Sequence, residues 1–180
     1  MRVITGLARG RRLKEPEGQD IRPTSGAVKE AIFNIVQFHV QGSCVLDLFA
    51  GTGQFGIEAL SRGAKSVEFV DSLSEAAKLI KENLKICGFS DTAEVHARDA
   101  LKYLENHEKF DLIFMDPPYE SDLAYKALSK IIEFDKLNIN GIIICETKAG
   151  STALNVSPPY AIKKVYKYGG VKITRCEREG

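Results

Sequence analysis

From Ser43 onward, short and nearly continuous apolar runs alternate with segments whose apolar residues recur every three to four positions. CVLDLF (44–49), SVEFVD (66–71), AEVHARD (93–99), FDLIFMD (110–116) and GIIICETK (141–148) read as strands. GQFGIEALSRG, SEAAKLIKENLKICG, ALKYLEN and DLAYKALSKIIEF, which lie between them, read as helices, the first stopping near Gly63 and the second at Gly88. Strict strand–helix alternation with strands apolar on both faces predicts a parallel sheet covered on both sides. Right-handed crossovers make it a doubly wound α/β sandwich. The end breaks the pattern: YAIKKVYKY and VKITRCE flank Gly169-Gly170, and predict an antiparallel hairpin closing one edge of the sheet.

The first forty residues stand outside the alternation. MRVITGLARGRRLKEP reads as two short strands about a glycine turn, a basic hairpin. RPTSGAVKEAIFNIVQ starts a helix that Thr24 or Ser25 can cap after Pro23. Val28, Ala31, Ile32, Ile35 and Val36 form its apolar face. The expected organisation is residues 1–40 as a basic hairpin and helix packed on a core of residues 41–180.

Composition adds little to this picture, and charge adds more. With 180 residues, 44 % of them hydrophobic and 27 % charged, the chain suits one soluble domain with a sizeable core. Net charge is +1, but it is unevenly spread. Residues 1–14 carry Arg2, Arg9, Arg11, Arg12 and Lys14 and no acid. Residues 90–140 hold eleven acids against six bases, and from Lys148 seven bases face only Glu177 and Glu179. Two basic ends about an acidic middle suit a polyanion met by one face, or lysines and arginines that are simply solvated. Cys44, Cys87, Cys145 and Cys176 are far apart and the three histidines scattered, so no metal site is expected and the thiols fit a reducing, cytoplasmic setting. No apolar run suits a signal segment or a membrane span.

Candidate chemistry gathers where the predicted strands end. LDLFAGTGQFG leads from the first strand into a helix; Gly51 and Gly53 permit a sharp turn and close approach of a ligand to the backbone. The frame fits neither the dinucleotide fingerprint nor the phosphate loop. Asp47, expected at the loop mouth, disfavours a pyrophosphate and suits an amino group or a sulfonium, which favours S-adenosylmethionine. Asp71 closes the next strand 20 residues past Gly51, the place of a carboxylate that accepts from ribose hydroxyls. Asp99 closes the third strand, either to receive an adenine amino group or to cap the helix that begins at Ala100.

Asp116 closes the fourth strand and is followed by Pro117, Pro118 and Tyr119. The prolines fix two φ angles and donate no N–H. Asp116 and the Pro117 carbonyl make a rigid pair of acceptors, and Tyr119 a flat face. Together they suit a planar base with an exocyclic amino group. The acceptors draw on the amino hydrogens and aim the nitrogen lone pair at an electrophile, while the ring of Tyr119 holds the base. The ring is the part expected to matter, so Tyr119→Phe is expected to be mild.

The order DLFAGTG, VEFVD, ARDAL, DPPY resembles class I S-adenosylmethionine-dependent methyltransferases that act on an exocyclic nitrogen. The flanking stretches MRVITGLARGRRLKEP, IRPTSGAVKEAIFNI and VLDLFAGTGQFGIEALSRGA, with YGG near the end, resemble the RsmD family of bacterial 16S ribosomal RNA guanine-N2 methyltransferases over nearly the whole chain. That resemblance implies a seven-stranded, mostly parallel Rossmann-like sheet. It implies methyl transfer from S-adenosylmethionine to the N2 of one guanine, flipped out of its stack, in 16S ribosomal RNA, within a small subunit or an assembly intermediate. It implies a monomer. Asp47, Phe49, Ala50, Gly51, Thr52, Gly53, Asp71, Ser72, Asp99 and Ala100 match cofactor positions; Asp116, Pro117, Pro118 and Tyr119 the catalytic motif; Arg9, Arg11, Arg12, Arg22 and Thr24 the RNA-facing part. The chain departs from the family at Gly26 and Ala27, where an acid and an arginine are usual, and at Cys176, where an aromatic is usual. The D-P-P-Y motif also serves DNA amino-methyltransferases, and a non-catalytic RNA-binding module is a further alternative; a chain this short has no room for a separate DNA-reading domain, and the intact motif residues speak against loss of catalysis.

Overall fold

A computed structural model describes residues 1–16, 26–106 and 108–180. In chain order the elements are α1 (Gly26–Ile35), β1 (Cys44–Leu48), α2 (Gln54–Ser61), β2 (Ser66–Asp71), α3 (Ser74–Cys87), β3 (Ala93–Ala97), α4 (Ala100–Tyr103), β4 (Phe110–Met115), α5 (Leu123–Glu133), β5 (Leu137–Lys148), β6 (Tyr160–Tyr168) and β7 (Val171–Arg178). The seven strands form one sheet of order β3-β2-β1-β4-β5-β7-β6. β1 to β5 pair in parallel; β7 runs antiparallel between β5 and β6, so the hairpin does close one edge. β5 begins four residues before the apolar run, because Leu137 pairs with Phe110 ahead of a register shift.

Strand alternation divides the core in two. Val45, Val67, Phe69, Leu112, Phe114, Ile142, Ile144 and Ile173 face α1, α2, α3 and the N-terminal segment. Leu46, Leu48, Val70, Ile113, Met115, Ile143 and Cys145 face α4 and α5. Each fully buried side chain of this size contributes about 1.5–3 kcal/mol, so the sheet is fixed from both sides and its ends can carry strained or polar groups. Cys176 belongs to the second core and is fully buried; burial pushes its thiol up to about 12. The four cysteines are free thiols, Cys44 half-buried and the others buried. No helix among the described residues is long and apolar enough to cross a membrane.

The predicted N-terminal hairpin is present in reduced form, as a single antiparallel bridge without two full strands. It is a compact loop with one isolated bridge, Arg2 to Arg12, supported by Val3 N–H to Arg11 O at 3.0 Å and Gly10 N–H to Val3 O at 2.9 Å. The reason is competition from α2. Both oxygens of Glu58 accept from this segment, from Ile4 N–H at 2.8 Å and Thr5 N–H at 3.0 Å. Ser61 Oγ accepts from Ala8 N–H at 3.0 Å and donates to Thr5 O at 2.5 Å, and Ser61 O accepts from Leu7 N–H at 2.8 Å. Backbone groups that a hairpin would pair with each other are spent on the helix. Gly6 is pressed so close that a Cβ would lie 1.7 Å from Ser61 O.

Val28, Ile32 and Val36 of the predicted apolar face are buried, and Ala31 and Ile35 half-buried. The same docking buries a second side of α1, including Phe33 and Lys29, whose ammonium donates to Arg2 O at 2.9 Å and lies 3.6 Å from Glu58. Burial pushes the Lys29 amine down, and Glu58 opposes the shift. Gly26 and Ala27 open α1 and are exposed. The predicted caps Thr24 and Ser25 lie outside the described residues.

Candidate active site

The parallel registers bring the carboxyl ends of the strands level. Leu48 pairs with both Val70 and Met115, Asp71 with Ala97, and Met115 with Cys145. Phe49, Asp71, Asp116 and Glu146 consequently leave the sheet along one edge, where open α/β sheets hold ligands.

The loop from β1 to α2 runs through left-handed backbone: φ is 67° at Phe49, 55° at Gly51 and 76° at Gly53. For Phe49 this conformation costs about 1–3 kcal/mol; Ala50 N–H to Val70 O at 3.0 Å and Gly53 N–H to Ala50 O at 2.7 Å hold it. A Cβ on Gly51 would meet nothing within 4 Å, so bare backbone faces open space there. Gly53 is packed instead, its Cβ position 3.2 Å from the side chain of Ile80. Gly56, one turn into α2, tolerates no side chain at all, since a Cβ would lie 2.2 Å from the ring of Phe69. The carbonyl of buried Thr52 accepts from Asn83 Nδ2 at 3.1 Å. Fully buried Asn83 also accepts from Lys14 N–H at 2.7 Å and donates to Lys14 O at 3.1 Å. One side chain on α3 thus ties the glycine loop to the basic arm.

Asp47 lies beneath this loop, not at its mouth. It is 1 % exposed, and Oδ2 accepts from Gly56 N–H at 2.9 Å. Burial pushes its carboxyl up to about 7 against the pull of the Gly56 N–H, and Asp71 nearby adds to the rise. Asp71 itself is half-buried at the rim; Oδ2 accepts from Gly51 N–H and Oδ1 from Leu73 N–H, both at 2.9 Å. Ser72 and Leu73 are exposed. Asp99 is exposed and caps α4, Oδ1 accepting from Lys102 N–H at 2.9 Å; Ala100 beneath it is buried in the second core. Of the two roles predicted for Asp99, the cap is present. Gln54, at the start of α2, holds a buried Oε1 with no hydrogen-bond partner among the described residues. Open space over Gly51, a carboxylate at the rim and an unmatched acceptor fit a ligand that carries donors and needs close contact with backbone.

Asp116 is half-buried at the end of β4. The Pro118 carbonyl accepts from Ser121 N–H at 3.3 Å and from Ser121 Oγ at 2.7 Å, which closes the turn. Tyr119 does more than offer a ring face. Its hydroxyl donates to Glu146 Oε1 at 2.5 Å, and Glu146 is 3 % exposed. That bond argues against a mild Tyr119→Phe, since the change strips a donor from a buried carboxylate. Pro117, Pro118, Tyr119, Tyr125, Glu146 and Lys148 line a cleft here, with the 149–152 turn pinned beside it by Lys172 Nζ, which donates to Ser151 O at 2.7 Å. Sequence reading misses Glu146; the signal is a lone acid closing the run IIIC at the level of Asp116.

On the arm, Arg9 and Arg12 are exposed, while Arg11 Nη1 donates to Ile86 O at 2.8 Å near the end of α3. Arg22 and Thr24 lie outside the described residues. Glu68, Glu94 and His96, on β2 and β3, bring potential metal-ligating atoms within 4.8 Å of one another, but His96 Nε2 lies 3.0 Å from Glu68, whose carboxylate also accepts from the Tyr103 hydroxyl.

A sheet of this order, with a glycine loop after β1, an acid closing β2 and D-P-P-Y closing β4, defines the chain as a methyltransferase of the doubly wound class. The family model described as "Conserved hypothetical protein 95" matches residues 1–177. The chain is 40 % identical over 153 residues to Ribosomal RNA small subunit methyltransferase D of Haemophilus influenzae, covering 82 % of this chain and 79 % of that one. It is 26 % identical over 180 residues to the protein of the same name from Escherichia coli, covering 99 % and 90 %. Among solved structures it is similar to "Putative methyltransferase yhhF from Escherichia coli", with a TM-score of 0.90 and 25 % identity over 100 % of this chain and 98 % of that one. The chain belongs to the RsmD family of ribosomal RNA small subunit methyltransferases.

Proposed function

We propose that this protein transfers a methyl group from S-adenosylmethionine to the exocyclic N2 of a guanine in small-subunit ribosomal RNA. The observation that carries the reading is the alignment of Asp116 with the Tyr119–Glu146 pair at the sheet edge that also presents the Gly51 backbone. S-adenosylmethionine, when bound, supplies an electrophilic methyl group. Gly51 and Gly53 admit it close to the backbone, and Phe49, Ala50 and Thr52 shape the loop. Asp71 and Ser72 take the ribose hydroxyls, while Asp99 and Ala100 meet the adenine. Asp47 acts one layer down by holding α2 to the loop through Gly56.

Asp116 and the Pro117 carbonyl accept from the two amino hydrogens of guanine. That polarises the N–H bonds toward nitrogen and directs the nitrogen lone pair out of conjugation. Asp116 gains most as the nitrogen becomes positive, so its contribution is concentrated in the transition state. Tyr119, braced by Glu146, fixes the ring plane. Arg9 and Arg12 hold phosphates, and Arg11, Arg22 and Thr24 complete the grip. In this reading the enzyme works as a cytoplasmic monomer on a small subunit or an assembly intermediate; the names of its relatives support the small-subunit ribosomal RNA substrate.

Single-turnover methyl transfer to 16S ribosomal RNA, with mass spectrometry of the nucleosides, tests this. Asp116→Ala is expected to slow transfer by about a hundredfold to a thousandfold, with Asp116→Asn, which keeps an acceptor oxygen, well above it. An Asp116→Ala enzyme at wild-type rate, or methyl groups on adenine of DNA instead of guanine N2, would sink the reading.

A further inference from the structure

The last three strands carry a second stripe of cations and rings that the arm does not account for. In an antiparallel pair, residues directly opposite each other share a face of the sheet. Glu146 is opposite Ile173, and Ile173 opposite Tyr166. Lys148, Val171 and Tyr168 make the next row toward the hairpin turn, and Ile144, Arg175 and Lys164 the row before. Tyr166 thus stands on the same face as the carboxylate that braces Tyr119, two strands away, roughly 10 Å at ordinary strand spacing.

The side chains of this stripe are arranged as a platform. The rings of Tyr166 and Tyr168 stack at 6.4 Å between centroids with an interplanar angle of 11°. The Lys164 ammonium sits 5.0 Å above the Tyr166 ring. Both tyrosines are half-buried, packed on one side against the first core; Lys164 and Lys148 are exposed. Nearby acids are matched already: Glu177 pairs with Arg175, Glu179 with Lys163, and Glu146 accepts from Tyr119. Lys148, at the end of β5, lines the catalytic cleft itself, so the stripe is continuous with it.

We propose that Lys148, Lys164, Tyr166 and Tyr168 form a second RNA-gripping face, on which unpaired nucleotides flanking the target guanine stack while the lysines meet their phosphates. The proposal rests on the RNA reading given above. Every base has a π face, and stacking on an aromatic side chain is sequence-tolerant, so such a face suits the strand on either side of an extruded base. The arm and the stripe would then hold the strand from two sides of the cleft.

The test is RNA affinity of the full chain for a ribosomal RNA hairpin whose loop carries the target, measured by fluorescence anisotropy over a range of salt. Tyr166→Leu with Tyr168→Leu keeps the apolar packing and removes the ring faces; the dissociation constant is expected to rise about tenfold or more. Tyr166→Phe with Tyr168→Phe should stay near wild type. Lys148→Ala with Lys164→Ala, both exposed and without risk to the fold, should lower the salt slope by about 0.7 per lost contact. S-adenosylmethionine affinity by calorimetry should be unchanged in the tyrosine variants and in Lys164→Ala alone. Unaltered RNA affinity in the leucine pair and the alanine pair would overturn the proposal. So would loss of binding to the ribosomal particle with naked RNA affinity intact, which would assign the face to a ribosomal protein. Wild-type protein that binds this RNA without methylating it would overturn the functional reading alone, and the variant affinities would still decide the stripe.

Discussion

Replacing Asp47 by Asn should change how stability depends on pH, and the size of the change follows from the site. The Asp47 carboxyl is fully buried and titrates near 7 in the folded chain, against an ordinary value of 3.8. Below 3.8 both folded and unfolded chains hold the proton. Between 3.8 and 7 the folded chain keeps it and the unfolded chain has lost it, so each pH unit upward removes about 1.4 kcal/mol of stability. Above 7 both are ionised and the loss is complete, at about 4 kcal/mol in all. The Asn side chain keeps an oxygen for the Gly56 N–H and cannot ionise. Any fixed cost of burying the amide shifts its curve without tilting it. Urea unfolding from pH 5 to pH 8 should therefore show the Asn variant gaining about 2–3 kcal/mol on the wild type, with the wild type declining as pH rises. Parallel curves would refute the reasoning and show that Asp47 ionises freely under the loop.

Tyr119→Phe should cost about 1–3 kcal/mol in stability or in transition-state binding, because Glu146 loses a buried donor; unfolding and single-turnover rates together check it, and a variant normal in both would show the hydroxyl to be idle. Gly56→Ala places a methyl against Phe69 and Val67, and should destabilise by about 1–3 kcal/mol in denaturant unfolding despite the better helix propensity of alanine. Asn83→Ala leaves the Thr52 carbonyl and both Lys14 backbone groups without their shared partner. It should cost about 2–3 kcal/mol in unfolding and weaken S-adenosylmethionine in calorimetry, where unchanged affinity would separate the hub from the glycine loop.

What could be read ahead was what local pattern determines. β2 runs over 66–71 as its apolar run does, and α3 stops at Gly88, which takes φ 78° and returns its N–H to Lys85 O. Asp71 and Asp116 were legible because they close runs whose direction is fixed by parallel pairing. Glu146 was not, since its partner Tyr119 is 27 residues away and meets it only after β4 and β5 align. Glu58 draws no notice in the sequence, and nothing within α2 reveals that Ile4 and Thr5 will claim both its oxygens. Asp47 could have been placed better: it alternates with Val45, on the α2 side of the strand, and so faces inward.

The grip of Glu58 and Ser61 on residues 4–8 has a consequence for any attempt to dissect the protein. The arm looks like an appendage that could be trimmed to leave a smaller catalyst, or transplanted to give another enzyme a taste for RNA. Its backbone, however, supplies two of the donors that make a fully buried carboxylate tolerable, and α2, which carries that carboxylate, begins at the glycine loop. Trimming it would leave Glu58 only Lys29 and Arg62 for company in the interior, and transplanting it would deliver a peptide with no socket. The arm is a part of the core's polar scaffold, not a module laid over it.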